Sequence, residues 1–206
     1  MKSNCMYYLA AIAAASLATV CAQAGLVEGS IYENDATGAG DATPANVPAG
    51  APNVTFTTVT PIDFASGGAY TIGEFLSSGS GSTVLTGAGE LGNTMENTLF
   101  NFLGNVSVIS GQTFTAGHDD GLTLIIDGLT VISAPGPTGF IDTTETYTGP
   151  TGTFPFQLVY GECCGAPADL AIDLPLVSSV PDSGSTLTLL GGALTLAGMV
   201  TRRFRK

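Results

Sequence analysis

Asp119-Asp120-Gly121-Leu122-Thr123-Leu124-Ile125-Ile126-Asp127-Gly128-Leu129-Thr130-Val131-Ile132 is the stretch on which the fold turns. It holds two runs rich in β-branched and Leu side chains, separated by Asp127-Gly128. Asp-Gly is the strongest short hairpin signal, because both residues tolerate the positive φ demanded by a two-residue turn that matches strand twist. The stretch therefore predicts an antiparallel hairpin with Asp127 as a turn residue. Directly before it, Phe114-Thr115-Ala116-Gly117-His118-Asp119-Asp120-Gly121 places two adjacent carboxylates in a tight loop at the end of a strand.

Working outward, further strands are expected at Val54 to Thr60, Ala69 to Leu76, Leu99 to Ile109, Ile141 to Tyr147, Phe154 to Tyr160 and Ala168 to Leu174, punctuated by Gly and Ser. Residues 34–52 are poor in apolar side chains and rich in Gly, Ala, Pro and Asp, which predicts a surface loop. No long helical period and no internal repeat interrupts this pattern. Nine or ten short strands at regular spacing imply an all-β, antiparallel sandwich of the jelly-roll type rather than βαβ units. The body, residues 25–180, has 156 residues, the size of one domain with one core.

The chain carries five basic side chains, Lys2, Arg202, Arg203, Arg205 and Lys206, all in the end segments. Residues 25–180 hold sixteen carboxylates and no Lys or Arg, so this body carries a charge of −16. Nucleic acid is excluded as a partner, since counterion release from phosphates requires cationic side chains. Divalent cations suit such a surface. The body retains two of the four cysteines, the adjacent pair Cys163-Cys164, and an oxidising compartment leaves two states open to them: a vicinal disulfide or two thiols.

Neighbouring side chains on an extended chain point apart. For Asp119 and Asp120 to face one ion the backbone must turn sharply between them, as a cis peptide would achieve. All-oxygen ligation by carboxylates and carbonyls suits Ca²⁺, whereas zinc favours imidazole and thiolate. The plainer alternative is a polar turn whose Asp and Gly are there for backbone tolerance. His118, the one histidine, is expected as a turn residue or hydrogen-bond donor rather than a ligand or base. With no Lys or Arg in the body and no acid and base paired across a cleft, no catalytic residues are assigned and no enzymatic activity is expected.

The run Asp119 to Gly128, followed by Phe154-Pro155-Phe156-Gln157-Leu158-Val159-Tyr160 and a Gly-containing loop, resembles the protective-antigen-like lectin domain. Gly25-Leu26 through Tyr32 is similar to that domain's usual opening. The resemblance implies a β-sandwich in which the two Asp form a cis-linked pair on calcium. A polar side chain and two backbone carbonyls from the loop after the Phe-Pro strand complete the protein ligands, and sugar hydroxyls fill the rest. Carried onto this chain, it makes Asp119 and Asp120 metal ligands. Glu162 stands where the family often has Asn and becomes the third side chain, and Cys164 and Ala166 supply the carbonyls. A Cys163–Cys164 disulfide would add a flat apolar face for a sugar.

The ends carry addresses. Lys2, an apolar stretch from Met6 to Val20, and Ala22-Gln23-Ala24 before Gly25 have the order of a secretory signal peptide, residues 1–24, cleaved after Ala24. At the other end Val180-Pro181-Asp182-Ser183-Gly184 precedes an uncharged stretch, residues 185–201, and a basic tail, residues 202–206. The stretch is short for a permanent anchor but suits a transient transmembrane helix with its basic end in the cytoplasm. This order resembles the PEP-CTERM type of sorting signal in its VPDSG variant. That family implies an exosortase-type enzyme cutting at the motif and delivering the acidic β-sandwich domain, residues 25–179, to the cell surface or an extracellular matrix. Two functions are then expected to compete: a calcium-dependent module for a glycan or exopolysaccharide, and a purely structural surface component with no sugar ligand.

Overall fold

The computed structural model describes residues 25–79 and 81–177. The expected signal helix and C-terminal membrane helix lie outside these residues. Among the described residues no helix is long and apolar enough to cross a membrane.

Eleven strands carry the described chain, one or two more than the sequence suggests. They are β1 (Val27–Tyr32), β2 (Val54–Thr58), β3 (Ile62–Ala65), β4 (Thr83–Thr86), β5 (Thr98–Val108) and β6 (Thr113–Asp119). Then come β7 (Gly121–Ile126), β8 (Leu129–Ala134), β9 (Ile141–Thr146), β10 (Gly152–Glu162) and β11 (Asp169–Ile172). One sheet has seven strands in the order β4-β2-β1-β5-β10-β7-β8, the other four in the order β3-β11-β6-β9, and every named pairing is antiparallel.

Strand alternation builds the core. In β3, Ile62 and Phe64 are buried while Asp63 and Ala65 face out, and in β2 Val54 and Phe56 take the inward positions. Phe56 and Phe102 of the larger sheet meet Phe64 of the smaller one at ring-centroid distances of 6.3 Å each. Tyr160 is stacked on Phe75 at 5.9 Å and lies 5.6 Å from Phe100, so the aromatic core runs up to the last turn of β10. The β7–β8 hairpin turns at Asp127 and Gly128 with φ of 52° and 74°, the pair of left-handed positions that Asp-Gly predicts.

Two sequence expectations are corrected. Ala69 to Leu76 is not a strand: it contains most of helix α2 (Ile72–Ser78). Thr71 caps that helix by accepting the Glu74 N–H at 3.2 Å, and Ile72, Phe75 and Leu76 are buried at the i, i+3, i+4 spacing of one helical face. The apolar residues alone read equally well as a short strand; the Thr-x-x-Glu cap decides for the helix. Within residues 34–52 the expected loop contains helix α1 (Ala36–Gly40), capped by Asp35, and a 3-10 turn at Pro44–Asn46.

Candidate metal centre

Three of the connections between the two sheets converge at one end of the sandwich. The chain passes from the smaller to the larger sheet at Asp120, between β6 and β7; it returns through residues 135–140, between β8 and β9, and again through residues 163–168, between β10 and β11. The carboxylate pair is therefore a corner of the sandwich. The Asp119–Asp120 peptide bond is cis. Asp119 ends β6 and Gly121 opens β7, so the segment expected as a tight loop narrows to the single residue Asp120.

Asp120 ties the other two connections together. Its Oδ1 accepts the Thr138 N–H at 3.0 Å, and its Oδ2 accepts the N–H groups of Cys163 and Cys164 at 3.0 and 3.3 Å. A carboxylate has about four lone-pair positions, so three are used and one remains for a cation. Cys163 and Cys164 are joined in a disulfide.

Glu162 reaches the pair from within. It is 0% exposed, its Oε1 accepts the Tyr70 hydroxyl at 2.6 Å, and its Oε2 accepts the Tyr160 hydroxyl at 2.9 Å. The Tyr160 hydroxyl also reaches the Asp119 carbonyl. One hydroxyl proton serves one acceptor at a time, and a protonated Glu162 supplies the second. Burial, and to a lesser degree the charges of Asp120 and Asp119, push the Glu162 carboxyl up to about 8, against hydrogen bonds from Tyr70 and Tyr160 that pull it down. Burial also raises the Asp119 carboxyl, followed by repulsion from Asp120 and Asp169.

The expected metal residues are thus distributed over two layers. Donor atoms of Asp119, Asp120 and Glu162 lie within 4.8 Å of one another. Asp119, Asp120, Cys164 and Ala166 line an open cleft of about 420 Å³, together with residues 137–139 and Gly165 and Pro167. Glu162 lies beneath this cleft rather than in its wall. His118 is no turn residue: it is fully buried in β6, its Nδ1 meets the Asp120 carbonyl, and its Nε2 lies 2.8 Å from the Thr143 hydroxyl. The carbonyl can only accept, so Nδ1 carries the proton, in keeping with a donor role and with no free nitrogen for an ion.

Sequence reasoning misses Tyr70 and Thr138. Tyr70 sits in the segment misread as strand, and Thr138 contributes a backbone N–H that any residue but proline would offer.

The fold and the C-terminal motif have counterparts among known proteins. Residues 179–204 match the VPDSG-CTERM motif, which implies export and sorting to the cell surface. The domain is similar to the PA14 sugar-binding domain from an RTX adhesin (TM-score 0.52, 23% identity, covering 74% of this chain and 89% of that one). It is also similar to the PA14 domain of the antifreeze protein MpAFP (TM-score 0.53, 20% identity, 78% and 85% covered). No curated protein matches the chain in sequence. The chain carries a VPDSG-CTERM motif near its C-terminus, and its described domain shares the fold of these PA14 domains.

Proposed function

We propose that the protein is a surface-sorted carbohydrate-binding module whose cleft works through a Ca²⁺ ion. The observation that carries this reading is charge without compensation. Three buried or nearly buried carboxylates converge within 4.8 Å in a body that contains no Lys or Arg, and its one histidine is spent on a backbone carbonyl. A buried carboxylate either takes a proton, as Glu162 does, or stays ionised beside a partner of opposite sign, and for the Asp pair an external cation is the available one.

The donors fit calcium: hard oxygens, with the Asp119 and Asp120 carboxylates beside loop residues Cys164 and Ala166, which line the same cleft and whose carbonyls are the candidate backbone ligands. Asp119 and the free lone pair of Asp120 would hold the ion. Glu162, once deprotonated, adds negative charge from below. A bound calcium supplies open coordination positions for vicinal hydroxyls of a glycan; the protein residues fix where those positions face. The position of the motif near the C-terminus supports delivery by an exosortase-type enzyme. The surface-extracted product is then expected to have the mass of a chain running from Gly25 to about Val180, and an intact C-terminus on that product would reject processing.

The test of the site is the melting temperature in millimolar calcium and in excess chelator. An ion at about one hundred times its Kd adds about 2.7 kcal/mol, which a domain of this size reports as several degrees. A glycan that tightens calcium binding must itself bind more tightly in calcium, by reciprocity of linked equilibria. No calcium shift would leave Asp120 as a loop clamp and the protein as an architectural surface component.

A further inference from the structure

We propose that the Cys163–Cys164 disulfide is a redox switch on the cation cleft: while closed it holds the Asp120 carboxylate, and opening it loosens both cleft walls. The affinity part of this inference rests on the calcium reading; the coupling between the walls does not.

The covalent geometry gives the reason. Two adjacent cysteines joined through sulfur close an eight-membered ring that contains the peptide bond between them. The Cys164 N–H is a ring atom's hydrogen and the Cys163 N–H is attached to the ring's Cα. These are the two amides that Asp120 Oδ2 accepts, at 3.3 and 3.0 Å. The ring therefore fixes the direction of one of the three donors on the carboxylate, the Cys164 N–H, and anchors the Cα from which a second, the Cys163 N–H, is offered. The third comes from Thr138 on the opposite wall, to Oδ1 of the same group. A carboxylate that turns to follow one wall must leave the other.

The switch is reachable. Cys163 is 8% exposed, while Cys164 stands exposed beside the cleft. Exposed disulfides are the labile ones, and access decides which sulfur is attacked. A dithiol reductant attacks Cys164 Sγ through its thiolate, and Cys163 leaves as a thiolate and takes a proton. The reductant's second thiol then displaces the mixed disulfide. The products are two cysteine thiols and the cyclic disulfide of the reductant, with two electrons and two protons transferred. Both sulfurs lie within 4.8 Å of an Asp120 oxygen, so opening the bond changes the surroundings of that carboxylate directly.

Supporting partners of a metal ligand are commonly worth about ten- to a hundredfold in affinity. The full chain in detergent micelles is titrated with calcium before and after treatment with a 1,4-dithiol, with thiol alkylation confirming reduction, beside a Cys163→Ser plus Cys164→Ser variant. Amide exchange at Thr138 is followed in the same samples. Reduction is expected to weaken calcium by about tenfold or more, to speed exchange at Thr138, and to be reversed by reoxidation; the variant should behave as the reduced protein and ignore the dithiol. Confirmed reduction that changes neither affinity nor Thr138 exchange overturns the proposal. If the oxidised protein takes up no calcium, the calcium reading fails, and exchange at Thr138 alone decides the coupling: faster on reduction supports it, unchanged rejects it.

Discussion

Asp119→Asn and Asp120→Ala are expected to part company when the protein is melted in excess chelator. Asp120→Ala removes the acceptor of three backbone N–H groups, of which that of Cys163 is buried. Leaving a buried donor unpaired costs about 1–3 kcal/mol, and bonds to a charged acceptor lie at the upper end. Water can reach the Thr138 side of the cleft, so the net loss is put at about 2–3 kcal/mol, a fall in Tm of roughly 5–10 °C for a domain of this size. Asp119→Asn should leave the metal-free Tm unchanged or raise it. Its charge is disfavoured by burial first and by Asp120 and Asp169 next, so neutralising it removes a cost. In calcium both variants lose the ion's contribution. Equal losses in chelator would show that Asp120 is not the tie between the loops.

The same comparison has a pH dependence of defined sign. Glu162 titrates near its ordinary 4.5 when unfolded and at about 8 when folded. Between those values the native state binds the extra proton, so the contribution of Glu162 to metal-free stability falls as pH rises from about 4.5 to about 8. Glu162→Gln should remove that contribution and leave the slope that the raised carboxyls of Asp119 and Asp169 supply. Calcium should oppose it, because the ion favours the deprotonated carboxylate.

Legibility in the sequence follows a physical boundary. The β7–β8 hairpin, the core strands around Phe100 and Phe156, and the Asp pair could be read because local chemistry decides them: an Asp-Gly turn, a period of two, a carboxylate pair in a chain with no basic body residue. The helix Ile72–Ser78 was misread because its apolar spacing over six residues suits either period, and only the Thr71 cap distinguishes them. The site's lower layer was half legible. Glu162 follows from its place after the Phe-Pro strand, but its burial and its two tyrosine donors depend on β10 lying beside β5 and on Tyr70 arriving from before α2. Most hidden was the clamp on Asp120, whose three donors are main-chain amides and leave no residue signature.

The glycine of Asp119-Asp120-Gly121 carries the largest single-atom constraint of the motif. A Cβ at Gly121 would lie 2.0 Å from the Pro135 carbonyl oxygen and 2.6 Å from its carbon. These are backbone atoms, and that oxygen already accepts the Ala42 N–H at 2.9 Å, so it cannot step aside without opening the contact to the segment after α1. Gly121 faces Gly161 on β10, where a Cβ would meet the Ala39 carbonyl oxygen at 2.5 Å. The two glycines make a flat patch on which the 36–42 and 135–140 segments rest. Gly121→Ala is therefore expected to push residue 135 outward and carry Thr138 away from Asp120. Overpacking of this kind costs about 1–3 kcal/mol, and more when only backbone can yield. Gly128→Ala provides the control. Its φ of 74° also disfavours a side chain, at a cost of about 1–2 kcal/mol, but nothing lies within 4 Å of its Cβ position and it is remote from the cleft. Both variants should melt several degrees lower than the parent, whereas calcium affinity should fall by about tenfold in Gly121→Ala and stay unchanged in Gly128→Ala. If the two lose stability alike and bind calcium alike, the close approach of Pro135 does not position the cleft, and Asp120 holds its place without that wall.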